Sequence, residues 1–194
     1  MSGLFGTVVK KGIQKDIGLM LDDMAKAMNP NGQYVVDKIV DQEQYGAGRV
    51  SLGVLNKIEQ PVYNQERTVS LIFHGELYKN NTGVSDPEYI LNRYAIDGIR
   101  CVNELDGIFH FAIFDSRDQV VHLFSDRFGL YPLYYADTGK SFNFAGEVKA
   151  LLQCNSSDRM PDYASIGDFF HFGHVLGHKT LFRNISLLPP AAVL

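Results

Sequence analysis

A chain that must bury its own beginning has few ways to fold, and the first nine residues here, Met1-Ser2-Gly3-Leu4-Phe5-Gly6-Thr7-Val8-Val9, make that demand. The run after Ser2 is apolar or β-prone and interrupted by glycine, which predicts a short buried strand. A small residue after the initiator permits removal of Met1, leaving Ser2 with both a hydroxyl and a free α-amino group. That is the smallest arrangement in which a terminal amine serves as base for its own side-chain nucleophile. Without burial, Ser2 is only the second residue of a frayed end.

Downstream, Ile17, Met20, Leu21, Met24 and Met28 recur at helical spacing and read as a core-facing stripe. Asn29-Pro30-Asn31-Gly32 ends that helix with turn chemistry. Residues 34–56 are strand-like with a break at 42–45, and Arg49 lies in the second run. Gln60-Pro61 marks a loop; residues 68–73 predict a strand that ends in the polar cluster His74-Gly75-Glu76. Ser85-Asp86-Pro87-Glu88 predicts a helix start, with Asp86 as cap and Pro87 at the first helical position. Ile90, Leu91 and Tyr94 form its apolar stripe and Gly98 its stop. The run 108–114 is apolar on both faces, as a strand covered on both sides must be. Further strands are predicted at 119–124, 133–136 and 141–145, and helices at 148–153 and 162–172. Strands in two groups with helices between them predict two sheets face to face under helices.

The formal net charge of −4 offers no field for a phosphate backbone, which argues against nucleic acid as partner. Two cysteines, Cys101 and Cys154, are too few for a disulfide framework or a cysteine-based zinc site. No apolar run is long enough to span a bilayer and no signal-peptide pattern opens the chain, so the reading is of a cytoplasmic protein without a membrane partner. On that reading the Asn-x-Ser/Thr matches at Asn80, Asn155 and Asn184 carry little weight. His171, His174 and His178 have spacings that suit one helical face, but Gly173 and Gly177 interrupt it and no acidic or thiol ligand sits at a matching interval. Packing and hydrogen bonding are the reading for these three, and no metal is expected. His110 and His122 are read as strand residues facing polar neighbours.

The ordered motifs resemble the N-terminal glutaminase domain of asparagine synthetases, a class II glutamine amidotransferase of the N-terminal-nucleophile type. The resemblance spans essentially all 194 residues. It rests on Ser2-Gly3-Leu4-Phe5-Gly6, Arg49-Val50-Ser51, Gln60-Pro61, His74-Gly75-Glu76-Leu77-Tyr78 and Ser85-Asp86-Pro87-Glu88. The most specific stretches are Leu105-Asp106-Gly107-Ile108-Phe109, the run from Asp126-Arg127-Phe128-Gly129 to Tyr134-Tyr135, and Glu147-Val148-Lys149-Ala150-Leu151-Leu152. It implies an α+β fold, a four-layer αββα sandwich of two mainly antiparallel sheets.

Position by position, the resemblance implies a catalytic set of Ser2, His74 and Gly75. It implies substrate binding by Arg49 at the glutamine carboxylate, Asp86 at its ammonium group, and Gly75 and Glu76 beside them. Each has a plainer reading: Asp86 as helix cap, Arg49 as a strand arginine with a carboxylate partner, Gly75 as a turn glycine. Three positions depart from the family pattern. Ser2 replaces the cysteine nucleophile, and an alcohol depends more on its base than a thiol with pKa ~8.5. His74 replaces the oxyanion asparagine, a position where losing one donor costs ~10²–10³ in rate. The family's His-Arg-Gly-Pro-Asp-Gly loop has become Ala27-Met28-Asn29-Pro30-Asn31-Gly32, without its cationic side chains.

These departures imply a domain, residues 1–194, degenerate in glutaminase activity and serving an ATP-dependent amide-forming synthetase domain. The apolar run 187–194 is read as the approach to that domain. An active glutaminase using Ser2 is the alternative, and a serine hydrolase for another amide is a third reading. No cofactor is expected for this domain, ATP and Mg belonging to the synthetase partner. Glutamine or a related amino acid is the expected ligand, and a homodimer is compatible with the sequence.

Overall fold

The computed structural model describes residues 2–13, 15–41, 44–80, 82–154 and 159–194; the predicted loss of Met1, residues 42–43 of the predicted break and the Asn155 match fall outside them. Two antiparallel sheets lie face to face. The first runs β10-β8-β9-β1-β3-β2, built from β1 (Gly3–Val9), β2 (Val35–Asp41), β3 (Tyr45–Ser51), β8 (Tyr134–Asp137), β9 (Ser141–Ala145) and β10 (Ser186–Leu187). The second runs β4-β5-β6-β7, from β4 (Val62–Tyr63), β5 (Val69–Leu77), β6 (Gly107–Asp115) and β7 (Val120–Ser125). Helices α1 (Ile17–Met28) and α3 (Val148–Cys154) cover the outer face of the first sheet. Helix α2 (Asp86–Asp97) and a 3-10 turn (Gly98–Glu104) cover the second. The four layers are therefore αββα, with α4 (Tyr163–Phe172) at the periphery, where Ser165 is its one buried residue.

Strand alternation sorts the side chains into three cores. In β1, Phe5 and Val9 pack under α1, while Leu4 turns inward and meets Ile72, Ala112 and Phe144 between the sheets. In β5, Val69, Leu71 and Phe73 pack against α2, so the alternate positions, Ile72 and His74, belong to the inner face. β1 lies between β3 and β9, which explains why Leu4 and Phe5 are both fully buried. Helix α1 is capped by Asp16, whose carboxylate accepts from the Leu19 N–H, and buries Ile17, Leu21, Met24, Ala25 and Met28 along one stripe.

Three local expectations are corrected. β3 stops at Ser51, and 52–56 is a loop. β5 does not end at His74: it runs on to Leu77, because β6 pairs with it through Leu77↔Gly107. The α2 cap is Ser85, not Asp86. Ser85 and Glu88 form the reciprocal capping box, which leaves the Asp86 carboxylate free for other partners. His122 lies on β7 with polar as well as aromatic neighbours: the Asp115 and Asp118 carboxylates act on its ring, which is 6.2 Å from Phe124 and 6.3 Å from Tyr94.

The last residues are not loose. Leu123 and Leu194 exchange backbone hydrogen bonds at 2.8 and 2.9 Å, and Leu188 is buried in the inner core.

Candidate functional site

Antiparallel register brings distant residues to one end of the inter-sheet space. Ser2 stands immediately before β1. Leu4 lies opposite Arg49 on β3, and Arg49 in turn lies opposite Asp37 on β2. On the facing sheet, His74 lies opposite His110. A cavity of about 400 Å³ opens where these strand ends meet, walled by Ser2, Arg49, His74, Gly75, Glu76 and Tyr131. Its outer wall is the loop after β3, where Leu52 and Val54 expose roughly two thirds of their surface, 64% and 66%.

At the nucleophile end, Ser2 Oγ is 3.4 Å from His74 Nε2. The Tyr131 ring meets the His74 ring edge-on at 4.8 Å, and the His110 ring lies 5.2 Å away across the strand pair. Tyr131 is held there by the turn before it: the Asp126 carboxylate accepts from the backbone N–H groups of Phe109, Phe128 and Gly129. His110 is fully buried and its Nε2 accepts from the Leu4 N–H at 3.4 Å, which places its proton on Nδ1. Gly3 and Gly146 lie against that ring. A Cβ at Gly146 would sit 3.5 Å from His110 Cε1 and 3.3 Å from the Gly3 Cα.

Both imidazoles are neutral at ordinary pH. Burial, and then the Arg49 guanidinium, lowers His74 to about 4. Burial, and then His74, holds His110 well below the ordinary histidine range, the nearby Pro132 carbonyl opposing this.

The other end is built from charges that already have partners. Arg49, 3% exposed, donates from Nε and NH2 to one Asp37 carboxylate oxygen at 2.9 and 2.6 Å. It also donates to the carbonyls of Asn56 and Ile58. Asp86 is not among the residues walling the cavity. Its carboxylate accepts from Asn56 Nδ2 at 3.0 Å, the Leu77 N–H at 3.0 Å and Asn80 Nδ2 at 2.9 Å. Asn56 ties the two together from a left-handed backbone conformation, φ +47, its side chain donating also to the Gly75 carbonyl at 2.9 Å. Gly75 is required by more than a turn. Its φ is +128, and a Cβ there would stand 2.0 Å from the Ile108 carbonyl oxygen on the neighbouring strand.

Five of the six residues singled out from sequence, Ser2, Arg49, His74, Gly75 and Glu76, thus meet at one cavity, and Asp86 sits behind it. Asp37, Asn56 and Tyr131 carry no individual reading in the sequence, and His110 is read there only as a strand residue. Asp37 and His110 are defined by strand register, which no local pattern encodes. Tyr131 lies within the specific run after Asp126, and Asn56 had the one legible signal, an αL-tolerant residue at the end of a loop. Of the altered loop, Ala27 and Met28 are the last residues of α1, and Met28 is core beneath Gly3. His171 packs its ring on Phe172 at 4.6 Å, away from the cavity walls. Among the described residues no cluster of three or more His, Cys, Asp and Glu could hold a metal.

The chain is similar to known proteins in both sequence and shape. The family model described as a glutamine amidotransferase domain matches residues 1–194. Asparagine synthetase [glutamine-hydrolyzing] 3 of Bacillus subtilis is 30% identical over 141 residues, covering 66% of this chain and 23% of its own. Asparagine synthetase B of Escherichia coli is 33% identical over 129 residues, 58% of this chain and 23% of its own. The chain thus spans about a quarter of the length of these curated relatives. Among solved structures, the glutamine phosphoribosylpyrophosphate amidotransferase of B. subtilis superposes with a TM-score of 0.62 at 15% identity, covering 77% of this chain and 42% of its own.

Proposed function

We propose that this chain, which belongs to the glutamine amidotransferase domain family and is of the asparagine synthetase type, is degenerate in glutamine hydrolysis and serves an amide-forming synthetase domain as a structural or ligand-binding partner. The observation that carries this reading is the His74 imidazole, Nε2 at 3.4 Å from Ser2 Oγ. A neutral ring with a pKa of about 4 faces the nucleophile where the family resemblance calls for an amide donor to the oxyanion. An amide N–H₂ donates in either protonation range, whereas Nε2 donates only in one tautomer. The nucleophile is an alcohol, so it starts further from its anion than a thiol.

In this reading Ser2, His74 and Gly75 are the altered catalytic set, and Arg49, Gly75, Glu76 and Asp86 are the remnant of an amino-acid site. Arg49 is already charge-compensated by Asp37, so a ligand carboxylate has to share it, which supports weak rather than tight binding of glutamine. ATP and Mg belong to the synthetase partner, and this domain itself uses no cofactor.

The alternative of an active Ser2 glutaminase is favoured by one observation: Ser2, Arg49, Gly75 and Glu76 wall a single cavity of about 400 Å³. A coupled glutaminase assay separates the two. Ammonia release at background with glutamine detectable by calorimetry supports a ligand-binding remnant; robust turnover of glutamine overturns it.

A further inference from the structure

We propose that Ser2 and His74 form a nucleophile–base pair that is acylated by neutral, activated esters without help from the α-amino group. This uses the cavity assigned above but does not depend on its glutamine reading.

The pairing has the parts such chemistry needs: a hydroxyl, an imidazole nitrogen within reach, and neighbours that orient the base. Ser2 Oγ and His74 Nε2 are 3.4 Å apart, a separation typical of a pair awaiting substrate rather than one already tightened. His74 lies within β5, not on a loop, and is held between the Tyr131 edge and the His110 ring. The groups facing it are Ser2 ahead of β1, Arg49 from β3, His110 from β6, Tyr131 from the turn after β7, and Glu76 two residues along its own strand. Burial, and then Arg49, disfavours the imidazolium, so the base form is the resident one. Among the described residues that wall the cavity, the Arg49 guanidinium is paired to Asp37, and the outer wall is the apolar Leu52, Val54 and Leu55. That wall suits a short neutral acyl chain.

In the acylation step Ser2 Oγ bonds to the ester carbonyl carbon as its proton passes to His74 Nε2. The carbon–oxygen bond to the leaving group then breaks, and His74 returns the proton to the departing oxygen. Water attacks the Ser2 ester with the same relay, releasing a carboxylic acid and regenerating Ser2. A weakly basic imidazole confines the pair to good leaving groups, which favours esters over the amide of glutamine.

The test uses the full chain with p-nitrophenyl butyrate for rate and a fluorophosphonate, with peptide mass mapping, for the site of labelling. The expected result is modification at Ser2, with a rate that rises through pH about 4 and is level through neutrality. Acetylating the α-amine, or extending the chain ahead of Ser2, should leave the rate unchanged. Ser2→Ala should abolish labelling, and His74→Asn should slow it by ~10²-fold or more. A rate limb at ~7.7–8.0 that vanishes when the amine is blocked would overturn the proposal in favour of the amine as base. So would the absence of labelling at Ser2 in the unsubstituted protein, a result that needs no variant to fold. Ammonia release from glutamine would instead overturn the degenerate-site reading and leave the Ser2–His74 pair standing.

Discussion

The two ends of the cavity are built on opposite terms. At the Ser2 end, one long contact of 3.4 Å joins two neutral groups, and the side chains are held by ring packing. At the Arg49 end, short ion-pair and amide hydrogen bonds commit nearly every polar atom: Arg49 to Asp37, Asn56 and Ile58, and Asp86 to Asn56, Leu77 and Asn80. Groups that are fully satisfied hold a fold together; groups left partly satisfied are available to react. Two charged residues carried over from a motif can therefore be intact in sequence yet occupied in structure.

The contrast is sharpest at Arg49. Arg49→Ala leaves Asp37, its side chain 10% exposed, without its cation in a buried setting. Breaking such a pair costs ~3–5 kcal/mol, so chemical denaturation should show a loss of that order, with glutamine binding lost as well. If Arg49→Ala abolishes binding at unchanged stability, the pair with Asp37 contributes nothing and this end is a ligand site first.

At the Ser2 end the expected change is in rate, not stability. Ser2→Cys with His74→Asn should raise glutaminase activity by up to ~10²–10³ over Ser2→Cys alone, if the asparagine supplies an aimed oxyanion donor. The effects should be non-additive, because both act on one tetrahedral intermediate. A silent double variant, in protein shown by mass to lack Met1, places the defect outside these two positions, with the 27–32 segment the next to restore.

Asn56→Ala tests the link between Arg49 and Asp86. It removes donors to a carboxylate and to the Gly75 carbonyl, and bonds to charged groups are worth ~1.5–3 kcal/mol. A loss in that range on urea denaturation, with Asn56→Gln failing to restore it, is the expected result. No loss would mean that water replaces Asn56 and that the two ends are less different than they look.

The most gradual effect is a pH response at the histidine end. Both folded-state values lie below the ordinary histidine range, His74 at about 4 and His110 lower than usual by burial. The unfolded chain then binds more protons below pH ~6.5. Stability is complete above that pH and falls as pH drops from ~6.5 towards 4, by up to ~1.4 kcal/mol per pH unit for each histidine. Urea midpoints between pH 7.5 and 4.5 should show the slope, and His74→Asn should remove one histidine's share. A flat profile would contradict the burial of these rings.

What was legible in the sequence was local. The stripe from Ile17 to Met28, the doubly apolar run that became β6, and the buried first strand follow from periodicities of 3.6 and 2 that a chain carries wherever it folds. The order of the motifs carried the αββα expectation, and Ser2, Arg49, His74, Gly75 and Glu76 do meet at one cavity. Local reading went wrong where a partner overruled it. His74-Gly75-Glu76 looks like a strand's end, yet β6 extends the pairing through it and tolerates only a glycine at 75. Asp86 looks like a cap, yet Ser85 takes that role and frees Asp86 to accept from Asn56. Only the tertiary structure set Asp37 against Arg49 and His110 against His74. Register between strands belongs to neither strand alone, and a slip of one residue would turn both pairs to the opposite face.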